Sequence, residues 1–337
     1  MISVIIPVYR TKITLLERCL KSIAGQSYRD IEVIIVNDGS GQAELEKYLD
    51  DFSAADSRFH VISQENSGVS AARNRAIESA TGEYIFFVDA DDSLEADAFS
   101  DAVKAAEKYN ADIVLGGINM IFPDKTDRCG IKSDKPIVYD KKNMHRIQNF
   151  ILALYHDREN GELDGLRCRG PWSKLIRRSA IGDMRFRRDI PVYEDILFNV
   201  EVMGKMKSAV IVPGIWYNYY IYDDSSVRKY RPDGFNEQLH VMSAIHEIVD
   251  KYPELRESSA MLSADSVRKI ITGTIYNSQS EIKDKKAELK KFLNVDSVRS
   301  LLKNINISSY PDLNLKRKLF YVICKSGNAF VLDLFYK

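Results

Sequence analysis

Residues 82–92 read Gly-Glu-Tyr-Ile-Phe-Phe-Val-Asp-Ala-Asp-Asp. Tyr84–Val88 is a short, continuous run of aromatic and β-branched residues, as found in strands buried on both faces of a sheet. Residues i and i+2 of an extended chain point the same way. Asp89 and Asp91 therefore leave this strand with two carboxylates aimed together, which repel and need a cation. Hard divalent cations such as Mg²⁺ and Mn²⁺ take oxygen ligands, and Mg²⁺ commonly uses one or two carboxylates plus substrate phosphates. A metal here would neutralise a departing diphosphate. The plainer reading is an N-cap in which Asp91, Asp92 or Ser93 starts the next helix. Taken alone, the two readings stand level.

Working outward, Ser3–Val8, Ile31–Val36, Phe59–Ile62 and Asp112–Leu115 are similar apolar runs. Amphipathic segments separate them. Thr14 and Glu17 form a capping-box pattern opening a helix with Leu16, Leu20 and Ile23 inward. Gln42–Phe52 follows, then Val69–Ala80, opened by Asn66-Ser67, and Asp97–Tyr109. Strand–helix alternation predicts a mostly parallel α/β sheet with helices on both faces. Ligands bind such sheets beyond the carboxyl ends of the strands. The residues that follow the first four strands are Pro7-Val8-Tyr9, Asn37-Asp38-Gly39-Ser40, Asn66-Ser67-Gly68 and Asp89–Asp92. Asp38 at a neighbouring strand end tips the Asp89–Asp91 pair toward a site.

After Gly116 the pattern changes. It predicts a further strand at Ile118–Phe122, a loop at Pro123–Pro136 and a helix at Asn143–His156. Strands at Trp172–Ile176 and Val210–Tyr222 enclose a helix at Glu194–Met206. Helices then cover about 236–251, 255–278, 282–304 and 314–335, with a boundary near 230.

The 48 Lys and Arg balance 48 Asp and Glu, so net charge gives no argument for nucleic acid. The distribution is uneven: residues 1–112 carry a net −9 and residues 281–337 a net +6. Cys19, Cys129, Cys168 and Cys324 lie far apart and read as reduced structural thiols. The five histidines show no metal spacing. Ile2 already belongs to an apolar run, so no signal peptide is expected. No stretch approaches the roughly 18 apolar residues of a membrane span, and a cytoplasmic protein is expected. No G-x-G-x-x-G, P-loop or G-x-S-x-G motif is present. The tail sets Lys316, Arg317 and Lys318 beside Leu315, Leu319 and Val322. It reads either as a terminal helix packed on the domain or as a basic amphipathic helix at an anionic membrane surface. A dimer contact is a third use.

The order SVIIPVY (3–9), EVIIVNDGS (32–40), ENSGVSAARN (65–74) and GEYIFFVDADD (82–92) resembles the amino-terminal half of the family 2 glycosyltransferases. These are inverting enzymes of the GT-A (nucleotide-diphospho-sugar transferase) fold, among them bacterial capsule and exopolysaccharide enzymes. The match is continuous over about 1–115 and weaker to about 227. The resemblance implies a GT-A catalytic domain at 1–230, with a nucleotide-sugar half (1–115) and an acceptor-side half (116–230), and a helical region at 231–337.

It also implies roles. Pro7 and Tyr9 would line the nucleotide pocket, and Asp38 would accept the base N3–H of uracil, an ionised carboxylate being acceptor-only. Asn66, Ser67 and Gly68 would form a loop against nucleotide or phosphate. Arg73 would reach phosphate or form a buried pair. Asp89 would contact ribose or donor sugar, and Asp91 would bind Mn²⁺ or Mg²⁺. Val192–Phe198 resembles the family's acid pair at a helix start, with Asp195 as the base that deprotonates the acceptor hydroxyl and Glu194 beside it. Gly170–Ile176 resembles a Trp-x-Lys-Leu segment whose Trp172 would stack on a sugar or pack in the core. Tyr217–Tyr220 and Asp223–Val227 resemble a tyrosine strand and serine loop. Ile221 stands where the family tends to carry arginine, and Arg228, Lys229 and Arg231 lie nearby. The implied reaction moves a hexosyl or N-acetylhexosaminyl group from a UDP-sugar to a saccharide acceptor, lipid-linked or part of a growing surface glycan. A nucleotidyltransferase and a non-catalytic sugar-nucleotide-binding scaffold are the rival readings.

Overall fold

The structure is a computed structural model and describes all residues except 154–160, 223–229, 231, 278, 310–312 and 337. The described residues form the strands β1 (Ile2–Val8), β2 (Ile31–Asp38), β3 (Phe59–Gln64), β4 (Tyr84–Phe87), β5 (Ser93–Leu94), β6 (Ile113–Ile121), β7 (Thr126–Cys129), β8 (Ile137–Asp140), β9 (Lys174–Arg177) and β10 (Ser208–Tyr220). The α-helices are α1 (Ile13–Ala24), α2 (Ala43–Ala55), α3 (Val69–Ser79), α4 (Ala98–Tyr109), α5 (His145–Leu152), α6 (Arg178–Ile181), α7 (Glu194–Lys205), α8 (Gly234–Lys251), α9 (Arg256–Ile270), α10 (Lys285–Leu293), α11 (Asp296–Lys303), α12 (Leu315–Ser326) and α13 (Ala329–Tyr336).

The chain divides into two compact units. The first comprises Met1–Met144, Glu162–Arg188 and Glu194–Tyr222. Its sheet runs β3-β2-β1-β4-β9-β6-β10-β5, with β7 on β6 and β8 on β10. Strands β1 to β4 are parallel, as the alternation predicts, and β9 enters antiparallel between β4 and β6. The register pairs Val8 with Asn37 and Asp38 with Gln64, so the candidate residues leave the sheet at one edge. Leu16, Leu20 and Ile23 of α1 are buried against this core, as expected.

Several local expectations are corrected. Thr14 and Glu17 form no capping box: α1 starts after Lys12 with no side-chain cap bond. Helix α3 starts after Gly68, whose φ is +88°, and Asn66 and Ser67 turn toward Asp38 instead. Residues 113–121 form one strand, not two. Gly116 and Gly117 do not break it; they make room for the neighbouring strand. A Cβ on Gly116 would lie 2.3 Å from the Trp216 ring, and one on Gly117 would lie 2.5 Å from Ile215. The expected loop at 123–136 contains β7. All four cysteines are free and buried.

The second unit comprises His145–Gly161, Asp189–Tyr193 and Asp223–Lys337. At its centre, α9 is buried along nearly its whole length and packs against α5, α8 and α11. Ser258, Ser263 and Ser266 bond back about one turn, as Ser263 does to the Ser259 carbonyl at 2.8 Å. The helix expected to reach 278 gives way at Ile271–Ile275 to a π-helical turn. The last helical span is interrupted at Gly327, which sits in the left-handed region at φ +67°. Among the described residues no helix is long and apolar enough to cross a membrane.

Candidate active site

The candidate residues that are described lie in the first unit. Asp89 leaves β4 and is held from two sides. Its N–H donates to Tyr217 Oη at 3.0 Å, and its Oδ1 accepts from Arg73 Nη2 at 3.0 Å. Asp92 does not cap a helix; Ser93-Leu94 is a strand and α4 begins at Ala98. The buried Asp92 carboxylate instead accepts from Tyr217 Oη at 2.7 Å and from the Tyr220 N–H at 2.9 Å, tying the acidic turn to β10. Burial and the Asp92 and Asp89 charges push the Tyr217 phenol well above its usual range, so it stays a donor. Burial and Asp89 raise the Asp91 carboxyl above the ordinary carboxylate range. A turn of acids whose charges are desolvated and mutually repelling is a hard-oxygen donor set, and it fits a divalent cation. Among the described residues no three His, Cys, Asp or Glu side chains converge on one point. Asp91, with Asp89 beside it, is the candidate ligand.

Arg73 resolves in favour of the buried pair. It is 4% exposed. Its Nη1 lies 3.2 Å from Glu194 Oε1, while Nη2 serves Asp89. The guanidinium is thus spent on two carboxylates and packs over Phe186, its centre 5.2 Å from the ring. Through it the strand-end acids and the helix-start acids become neighbours. Burial, with Asp195 adding repulsion, pushes the Glu194 carboxyl up to about 7. Asp195 Oδ1 accepts from the Ile196 N–H at 2.8 Å at the first turn of α7.

Trp172 is 9% exposed and belongs to the core. Its ring stacks on Tyr217 and Tyr219 at 5.2 and 5.5 Å between centroids. The expectation of a sugar platform is therefore replaced by aromatic packing, which backs the β10 tyrosines. Below it, the fully buried Lys174 donates to the Gly170 carbonyl, and Asn199 of α7 donates to the same carbonyl at 3.0 Å. Burial lowers the Lys174 ammonium to about 8. These two side chains fasten the segment before β9 to α7, which carries Glu194 and Asp195.

On the nucleotide side, Asp38 is 2% exposed. Its carboxylate accepts from Gln64 Nε2 at 2.7 Å, the Ser67 N–H at 2.9 Å, the Gly68 N–H at 2.8 Å and Asn66 Nδ2 at 3.3 Å. It braces the 64–68 loop. Gly39 is needed for this approach, since a Cβ there would lie 2.5 Å from the Asn66 nitrogen. Tyr9 is 48% exposed, and Pro7 is half-buried at the end of β1. The Asp223–Val227 loop with Arg228, Lys229 and Arg231 lies outside the described residues. In the sequence Asp92 reads only as a helix-cap candidate, and Gln64, Lys174 and Asn199 carry no role. The doubled acid of Asp91-Asp92 was the one local signal for the first.

The chain matches the model of glycosyl transferase family 2 over residues 3–181, more than half its length. It belongs to glycosyl transferase family 2. The Bacillus subtilis (strain 168) protein EpsH, named a glycosyltransferase, is 32% identical over 242 residues, covering 71% of this family 2 chain and 66% of EpsH. The chain thus spans slightly less than two thirds of that relative. The uncharacterized glycosyltransferase EpsJ of the same organism is 25% identical and covers 100% of this chain and 96% of itself. Residues 1–349 of S. aureus TarS, solved in complex with UDP-GlcNAc, superpose with a TM-score of 0.69 at 16% identity over 99% of this chain and 89% of TarS. At that identity the likeness speaks to the fold, which is GT-A, as the sequence resemblance implied. A nucleotidyltransferase is correspondingly disfavoured for this family 2 member.

Proposed function

We propose that this glycosyltransferase moves a sugar from a UDP-sugar to an acceptor hydroxyl with inversion, using Asp195 as the base. The observation that carries the reading is the Arg73 bridge, which sets Asp89 of the donor-side turn and Glu194 of the acceptor-side pair on one guanidinium. The UDP-GlcNAc held by TarS supports the donor class. In this scheme Pro7, Tyr9, Asn66 and Gly68 form the nucleotide wall. Asp38 exchanges the Asn66 amide, the longest of its four contacts, for the base N3–H. Asp89 meets the ribose or donor sugar. Arg73 orients the acids and does not touch phosphate. Glu194 keeps its carboxyl toward Arg73, leaving Asp195 to take the acceptor proton. A Mn²⁺ or Mg²⁺ ion on Asp91 would offset the charge of the leaving UDP. The ring of Trp172 keeps Tyr217 and Tyr219 in place rather than meeting the acceptor.

The acceptor is a saccharide of a surface glycan, lipid-linked, met at the cytoplasmic face of the membrane. Leu315, Leu319 and Val322 recur along one exposed face of α12, Leu315 at 82% exposure, with Lys316 and Lys318 flanking them. Such a face suits an anionic lipid interface. Flotation with phosphatidylglycerol vesicles is expected to carry the protein upward in a salt-sensitive way, and no binding at low salt removes the membrane part of the proposal.

Calorimetric titration with UDP, GDP, CDP and TDP, each with and without Mn²⁺, tests the donor assignment. UDP is expected to bind tightest, and more tightly with Mn²⁺. A folded protein that binds none of the four would defeat the assignment and favour a scaffold.

A further inference from the structure

Arg18 lies on α1. Its Nη2 donates to the Asp91 carbonyl and lies 3.0 Å from Tyr222 Oη. Its guanidinium carbon sits 3.4 Å from the centroid of the Tyr220 ring. Tyr220 is itself tied to the acidic turn, through its N–H to Asp92 at 2.9 Å and its hydroxyl to Ser93 Oγ at 3.3 Å. One planar cation thus joins α1, the Asp91 backbone, the end of β10 at Tyr220 and Tyr222 just beyond it.

We propose that Arg18 is a positioning residue that holds the Asp91 main chain, so that its carboxylate is preset for a divalent cation bound together with UDP. This rests on the donor and metal reading given above. The geometry asks for arginine. A guanidinium can stack on a tyrosine face while donating in its own plane. An ammonium has the charge but not the fork. The effect is also specific: Asp89 is held by Arg73 and Tyr217, and Asp92 by Tyr217 and Tyr220, whereas Arg18 grips the residue assigned to the metal. Loosening that carbonyl leaves the nucleotide wall at Asp38 and Gly68 untouched and frees the carboxylate to rotate out of place.

Titrations of UDP with and without Mn²⁺ on the full chain separate these effects. Arg18→Met and Arg18→Lys are expected to bind UDP without metal as the wild type does, within about twofold, and to lose roughly tenfold or more of the affinity gained with Mn²⁺. Tyr222→Phe, which removes one hydroxyl, is expected to lose less in the same direction. Should Arg18→Met fail to fold, as a lost thermal transition would reveal, Arg18→Lys and Tyr222→Phe carry the comparison. Wild-type behaviour in Arg18→Lys overturns the inference, because charge alone then suffices. Equal losses with and without Mn²⁺ overturn it too, since that is the mark of general loosening. A wild type whose UDP affinity ignores Mn²⁺ removes the underlying metal reading, and this inference with it.

Discussion

Asp195→Asn is expected to lower sugar transfer by roughly 10²–10⁴-fold, the range for removing a general base, while leaving UDP binding in Mn²⁺ unchanged. The substitution keeps the size of the side chain and an oxygen that can still accept from the Ile196 N–H, so α7 should start as before. It removes the ability to take a proton, together with the negative charge that acts on Arg73, Glu194 and Lys174. Asp91→Ala is the contrasting case. It should abolish transfer as well, but with loss of the Mn²⁺-dependent part of UDP binding. Steady-state transfer and equilibrium titration on both variants distinguish the roles. If both lose binding to the same extent, Asp195 is not confined to the acceptor side and the division of labour fails.

Arg73→Met is expected to destabilise the protein by roughly 3–5 kcal/mol at neutral pH, the cost of stranding buried partners of an ion pair. Methionine fills much of the volume and can pack on Phe186, so the loss is electrostatic rather than a cavity effect. The pH dependence follows from Glu194. Its folded carboxyl titrates at about 7, above the ordinary glutamate value, so the folded state binds this proton more tightly than the unfolded chain. This group therefore favours folding at low pH, and its contribution declines as pH rises from about 4.5 to about 7. Without Arg73, the charged forms of Glu194 and Asp89 face each other uncompensated. The Arg73→Met penalty should then grow between pH 5 and 8 and shrink toward pH 5. Chemical denaturation across that range measures it, and a penalty independent of pH would show that the bridge contributes packing alone.

The acidic turn is legible in the sequence because its signal is local: a buried strand followed at once by Asp89 and Asp91 needs no distant partner to be noticed. The role of Asp92 is not local. Its partners Tyr217 and Tyr220 lie 125 and 128 residues further along, and nothing near Asp92 distinguishes a brace from a helix cap. Gly116 misled for the same reason. Read along the chain, the change of pattern after Gly116 looks like a break; across the sheet Gly116 leaves the space that Trp216 occupies and Gly117 the space that Ile215 occupies. Trp172 is a parallel case, since an indole beside a candidate site looks the same on paper whether its faces meet a sugar or two tyrosines.

Periodicity, strand-end chemistry and the order of four motifs determined by themselves the α/β architecture, the edge of the sheet where the candidate residues gather and the family. Those features repeat or follow one another within a few residues, so backbone geometry alone turns them into shared faces and a shared edge. Which charges neutralise which was decided only by the tertiary structure. Arg73 had two plausible destinations in the sequence, phosphate or carboxylate. The fold chose by burying it between Asp89 and a glutamate 121 residues away, where leaving a desolvated guanidinium without counter-charges would cost more than the protein can spare.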